Sequence, residues 1–241
     1  MADVLSDKDV QQALVVAAHP DDIDFGVAGT VATWTDAGIK VAYCLVTDGD
    51  AGGFDADFPR AEMGPLRRRE QTAAAAVVGV DELYFLGHPD GYLEPTLDVR
   101  RDIARVIRQV RPQRIVIPSP EINYDRIYAS HPDHRAAGTA ALAAVYPDSR
   151  NPFAFPELLA EGHEAWTVQE TWITAHTSHN HAVDVTDAFD RKIAALRAHE
   201  SQTAHHDDLD GMIRGWLTAN AEAYGLPEGR LAEAFYVLGT G

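Results

Sequence analysis

With 241 residues, 46% of them hydrophobic and 24% charged, the chain has a globular composition and enough length to bury a sizeable core, which excludes intrinsic disorder. Its 20 basic and 37 acidic residues give a net charge of -17, which argues against nucleic acid as a partner held by attraction to phosphates. Cys44 is the single cysteine, so an intrachain disulfide and a thiolate-rich metal site are both excluded.

Met1 to Gln12 is acidic and lacks the basic start and apolar core of a signal peptide, and no run approaches membrane-spanning length. The expectation is one domain over 1–241, cytoplasmic, with no membrane partner. Self-association into a homo-oligomer is compatible with four tryptophans but is not specified by them.

Ala13-Leu14-Val15-Val16 reads as a buried strand that ends abruptly in Ala17-Ala18-His19-Pro20-Asp21-Asp22. Phe25 to Ala37 reads as a helix in spite of Gly26 and Gly29, and Ile39 to Thr47 as a second strand. An acidic, glycine-rich loop, Asp48 to Gly53, follows and continues to about Pro59, where it can cover a site. Arg60 to Val78 has strong helix propensity and is capped by Gly79.

Leu83 to Leu86 is a short strand leading into Gly87-His88-Pro89-Asp90-Gly91, and Leu97 to Val110 is an amphipathic helix stopped before Pro112. Arg114 to Ile117 is the fourth strand, and Arg135 to Val145 the helix after it. Beyond a proline-bounded connection, Asn151 to Leu159, strands are expected over Trp166 to Ala175 and Ala182 to Val185, with helices over Asp187 to His199 and Asp207 to Ala223. Alternating strands and helices predict an α/β fold: a Rossmann-like, mostly parallel sheet with helices on both faces. Each of the first four strands exits into polar residues, and in such sheets ligands bind beyond the carboxyl ends of the strands.

A strand cannot carry an imidazole and two carboxylates into a core unpaired, because buried charge is too costly. A divalent metal resolves this. The two His-Pro-Asp units, His19 to Asp22 and His131 to His134, supply His19, Asp22 and His134 as ligands, with a fourth position left for water. Zn²⁺ is the expected ion, with Fe²⁺ an alternative on the same donors. Asp21 then becomes the general base, His131 an imidazolium that stabilises an oxyanion and protonates a leaving amine, and Asp133 the group that orients His131. Asp90 is placed to contact a sugar hydroxyl, and Asp48 is a further candidate substrate contact.

These residues resemble the PIG-L/LmbE-like family of zinc-dependent N-acetylglucosaminyl deacetylases, through Ala18-His19-Pro20-Asp21-Asp22 and His131-Pro132-Asp133-His134. Arg67-Arg68-Arg69-Glu70 resembles the family's Arg-x-x-Glu helix, which implies a substrate-holding role for Arg67. His199-Glu200-Ser201-Gln202 resembles its late His-x-Ser-Gln segment. The resemblance implies a Rossmann-like fold, the same three zinc ligands and the first aspartate as base. Two positions depart from the pattern: Asp24 stands for a common Glu, and Ala129 for an Asp or a Tyr, leaving Tyr124, Asp125 and Tyr128 as candidate replacements.

The expected function is removal of acetate from a small N-acyl amino sugar. The alternatives are an amidase for a larger amide, such as a mycothiol conjugate or the acyl group of a secondary metabolite, and a sugar-binding protein without turnover. A dinucleotide-dependent dehydrogenase is discounted because no G-x-G-x-x-G follows the first strand. His176, His179 and His181, with His205 and His206, read as polar surface rather than a second metal site.

Overall fold

The computed structural model describes residues 4–55 and 57–241; the first three residues of the acidic N-terminal stretch, and Ala56 of the Asp48–Pro59 loop, lie outside the described residues. Seven strands, β1 (Gln12–Ala17), β2 (Lys40–Thr47), β3 (Glu82–His88), β4 (Arg114–Pro118), β5 (Glu170–Thr174), β6 (His181–Asp184) and β7 (Ala232–Gly239), form one sheet in the order β3-β2-β1-β4-β5-β7-β6. β3, β2, β1, β4 and β5 run parallel, and β7 is antiparallel to both β5 and β6.

β1 is apolar at successive positions because both of its faces are covered. Ala13, Val15 and Ala17 pack with α1 (Asp22–Asp36), α2 (Arg60–Val77) and α6 (Phe189–Arg197), whereas Leu14 and Val16 pack with α3 (Leu97–Val110) and α4 (Pro132–Ala143). Three further helices, α5 (Pro156–Ala160), α7 (Glu200–Thr203) and α8 (Leu209–Ala223), complete the second half. Ile213 and Leu217 of α8 form a separate small core with Phe189, Ile193 and Leu196 of α6. No helix of the described residues is long and apolar enough to cross a membrane.

The α/β sandwich agrees with the sequence reading, and the element ends differ for local reasons. α4 starts at Pro132 rather than Arg135, because proline suits the first turn of a helix and His131 caps it: the His131 Nδ1 accepts the Asp133 N–H at 3.2 Å. The second motif therefore lies on a helix start. α1 likewise begins at Asp22, before Phe25. The expected strand from Trp166 shortens to Glu170–Thr174, the Trp166 indole N–H being spent on the Pro112 carbonyl at 2.7 Å. β7 was not expected at all.

β1 and β4 are neighbours whose following helices α1 and α4 lie on opposite faces, so the crevice between their carboxyl ends is where the sheet opens to a ligand. α4 sits so close to β4 that a Cβ on Gly138 would stand 2.2 Å from the Pro118 carbonyl oxygen. Gly138→Ala must displace α4, and with it His134; we expect a loss of about 1–3 kcal/mol in urea unfolding, and an unchanged midpoint would contradict this packing.

Candidate active site

The turn after β1 delivers His19 to that crevice with carboxylates on either side of its ring. Nε2 stands 3.0 Å from Asp90 Oδ1 and 3.3 Å from Asp133 Oδ2, while Nδ1 stands 3.3 Å from Asp22 Oδ2. Asp90 and Asp133 are themselves fixed by backbone donors: Ala51 N–H gives to Asp90, and Gly91 and Leu93 N–H give to Asp133. With two fixed acceptors at Nε2, the ring proton belongs there, and the Nδ1 lone pair faces Asp22.

The same logic holds across the crevice. His134 Nδ1 lies 3.4 Å from the Ala129 carbonyl, which places its proton on that side and leaves the Nε2 lone pair 3.0 Å from Asp22 Oδ1. Two nitrogen lone pairs thus point at the two oxygens of one carboxylate. That arrangement is repulsive unless a cation lies between them. Protons can meet the same demand: burial opposes a charge on His19, yet Asp22, Asp133 and Asp90 push its pKa up to about 12, and Asp22 likewise raises that of His134 against its burial. Burial also opposes ionisation of Asp22, but His134 and His19 hold it well below the usual carboxylate range.

The site therefore demands positive charge, and its donors, two imidazoles and a carboxylate, fit a divalent metal. His19, His131 and His134 each bring a ring nitrogen within 4.8 Å of the others. A second group, His19 with Asp90 and Asp133, meets the same distance, but its oxygens already serve the backbone donors that hold the ring. Among the described residues, no group able to hold a metal involves His176, His179, His181, His205 or His206.

Asp21 stands beside this set in an uncommon conformation. Its φ is 90° and it caps α1 without any side-chain cap bond, so its carboxylate is free of the helix. A non-glycine residue held there stores on the order of 1–3 kcal/mol of strain. Burial is the largest influence on its pKa, and with the neighbouring Asp22 it outweighs the Arg67 guanidinium 3.1 Å away, raising the pKa to about 6. A carboxylate near neutrality, next to a metal set, suits a general base.

His19, Asp21, Arg67, Asp90, His131 and His134 line a cleft of about 320 Å³ with Ala51, Gly52, Gly91 and Tyr128. Residues 14–145 match the model of the GlcNAc-PI de-N-acetylase family, PIG-L. The chain belongs to the PIG-L family. It is 34% identical to the diacetylchitobiose deacetylase of Thermococcus kodakarensis, over 93% of this chain and 82% of that one. A probable N-acetyl-alpha-D-glucosaminyl L-malate deacetylase 2 of Bacillus cereus is 31% identical over 80% of this chain and 84% of its own. The fold superposes with a TM-score of 0.87 on the N,N'-diacetylchitobiose deacetylase of Pyrococcus horikoshii in complex with its inhibitor, at 30% identity, covering 96% of this chain and 85% of that one. These PIG-L relatives are deacetylases, hydrolases of N-acetyl amide bonds.

Several PIG-L motif positions take roles that sequence reasoning assigned otherwise. The Asp133 carboxylate does not orient His131; it accepts from Gly91 and Leu93 and faces His19, and only the Asp133 backbone N–H meets His131. Nor is His131 an imidazolium. Its Nδ1 is an acceptor, and partial burial, with His19 and His134 nearby, lowers its pKa, so its outer nitrogen presents an N–H from a neutral ring. Asp90 lines the cleft, with Oδ1 facing His19 and Oδ2 accepting the Ala51 N–H. Asp48 is held by both nitrogens of an Arg68 fork, at 2.7 and 2.5 Å, outside the cleft lining.

Arg67 is buried, 4% exposed, and its guanidinium donates to the carbonyls of Gly49 and Pro20 and pairs with Asp21. The His-x-Ser-Gln segment closes behind it: Ser201 gives its N–H and hydroxyl to Glu70, and His199 Nε2 lies 2.8 Å from Asp24 Oδ2. At the Ala129 departure, Tyr128 reaches the cleft, its hydroxyl accepting from Arg126 Nε at 3.0 Å, while Tyr124 is 82% exposed. Sequence reasoning missed Gln71, whose signal was available: it lies one helical turn after Arg67 on the same face.

Proposed function

We propose that the chain is a zinc-dependent deacetylase that removes the acetyl group from an N-acetylated amino sugar, with His19, Asp22 and His134 as the metal ligands. The observation that carries the metal is the pair of imidazole lone pairs facing the two oxygens of Asp22. The substrate class is supported by similarity to a diacetylchitobiose deacetylase over most of both chains. Bound at these ligands, zinc supplies a Lewis acid for the acetyl carbonyl and acidifies water toward neutrality.

Asp21 accepts the proton of the attacking water as its oxygen bonds to the acetyl carbon. The His131 N–H donates to the carbonyl oxygen as it becomes an oxyanion, which a neutral ring does without giving up its proton. When the carbon–nitrogen bond breaks, the proton held on Asp21 passes to the sugar nitrogen, the second proton of the water follows from the carboxyl product to the more basic amine, and acetate and the ammonium form of the sugar leave. Asp90 and Asp133 keep His19 in the tautomer that offers Nδ1 to the metal.

Acetate release from N,N'-diacetylchitobiose and from N-acetylglucosamine, with added Zn²⁺ and after chelation, tests this reading. Release should follow the metal, with Fe²⁺ as a comparison, and should fall about tenfold per pH unit below an acid limb near 6, since Asp21 acts only when deprotonated. Tight sugar binding without release would mark a binding protein instead. Turnover of larger N-acyl compounds alone would mark an amidase.

A further inference from the structure

We propose that Arg67 and Gln71, i and i+4 on α2, clamp the single peptide unit between Pro20 and Asp21, and that Gln71 is thereby a positioning residue for the base. The inference rests on the reading of Asp21 as that base. Arg67 donates to the Pro20 carbonyl at one end of this unit, and Gln71 Oε1 accepts the Asp21 N–H at the other, at 2.9 Å. The clamp reaches the turn from a helix whose gripping residue is 50 positions away in sequence.

Gln71 can point only one way. The Asp21 backbone N–H can only donate, so the amide oxygen must face it, and the amide nitrogen then faces Asp24 Oδ2 at 2.8 Å. His199 Nε2 meets the same Oδ2 at 2.8 Å, and Asp24, Gln71 and His199 are each fully buried. Asp21 needs such a device on its N–H side: its carbonyl is held by the Asp24 and Phe25 N–H groups of the helix, but its φ of 90° is a sparsely populated conformation and its side chain makes no cap bond. Releasing the N–H lets the peptide rotate, which swings the carboxylate away from the water it must deprotonate. His19 and Asp22 keep their places through their own contacts, so the metal set is not what the clamp holds.

Gln71→Met, close in volume but without polar atoms, should bind one zinc per chain and keep KM within about twofold while kcat falls tenfold or more. Gln71→Asn, which keeps an amide acceptor and donor and adds no charge beside the buried Asp24, should recover part of the kcat lost in Gln71→Met. Amide exchange at Asp21, read by hydrogen–deuterium exchange, measures the clamp without turnover and should be at least tenfold faster in Gln71→Met than in the unmodified chain.

Unchanged exchange at Asp21 or unchanged kcat in a folded Gln71→Met variant overturns the proposal, as does loss of metal in step with kcat. If Gln71→Met does not fold, Gln71→Asn takes its place: faster exchange at Asp21 together with a lowered kcat supports the proposal, and either change without the other overturns it. An unmodified chain that releases no acetate overturns the functional reading alone; the exchange comparison then still decides the clamp.

Discussion

Asp21→Asn is expected to lower kcat by about 10²–10⁴-fold while the chain still binds one zinc ion. Asparagine isolates the carboxylate charge better than alanine. It has the same size, and it is among the few residues that tolerate positive φ, so the backbone at 90° is not asked to change. The Arg67 guanidinium keeps its bonds to the Gly49 and Pro20 carbonyls when the carboxylate beside it is gone. A loss of turnover therefore reads out the missing base rather than a collapsed turn. Metal content measured after dialysis separates the roles: a variant that loses zinc along with turnover would put Asp21 among the ligands.

His134→Ala should show the converse, with metal affinity reduced by more than about 100-fold, since even residues that only support a ligand cost 10–100-fold. The ring is partly exposed at the start of α4 and packs on His19 and His131 rather than in the core, so the fold should survive its removal. Added Zn²⁺ should raise the melting temperature of the unmodified chain and leave that of His134→Ala nearly unchanged. Equal stabilisation of both by zinc would show that the ion is held elsewhere, for example between His19, Asp90 and Asp133.

The parallel part of the sheet and the meeting of the two His-Pro-Asp units were legible because both are written locally. A strand buried on two faces needs a continuous apolar run, and β1, β2 and β4 have one. The two His-Pro-Asp units each follow a strand, and β1 and β4 pair side by side in parallel, so both turns open at the same end of the sheet. The remainder depends on contacts that spacing does not encode. Asp133 meets backbone donors of the Gly91–Leu93 turn, and Asp48 pairs with a neighbouring arginine fork, neither of which a pattern of residue types reveals. β7 was missed although Phe235 to Leu238 form an apolar run, because its antiparallel place between β5 and β6 follows no strand-helix alternation.

β7 carries more than its own ladder. Glu233, 2% exposed, accepts from the backbone of Gly29 and Thr30 in α1 and pairs with Lys192 of α6, whose ammonium also binds the carbonyls of Asp24 and Phe25. The helix that begins at Asp22, a proposed metal ligand, is thus stitched to one of the last strands to emerge in synthesis, across more than two hundred residues. The first turns of α1 are therefore held from the antiparallel side of the sheet: without the Glu233 carboxylate, the Gly29 and Thr30 N–H groups would lose that acceptor and the buried Lys192 ammonium its counter-charge.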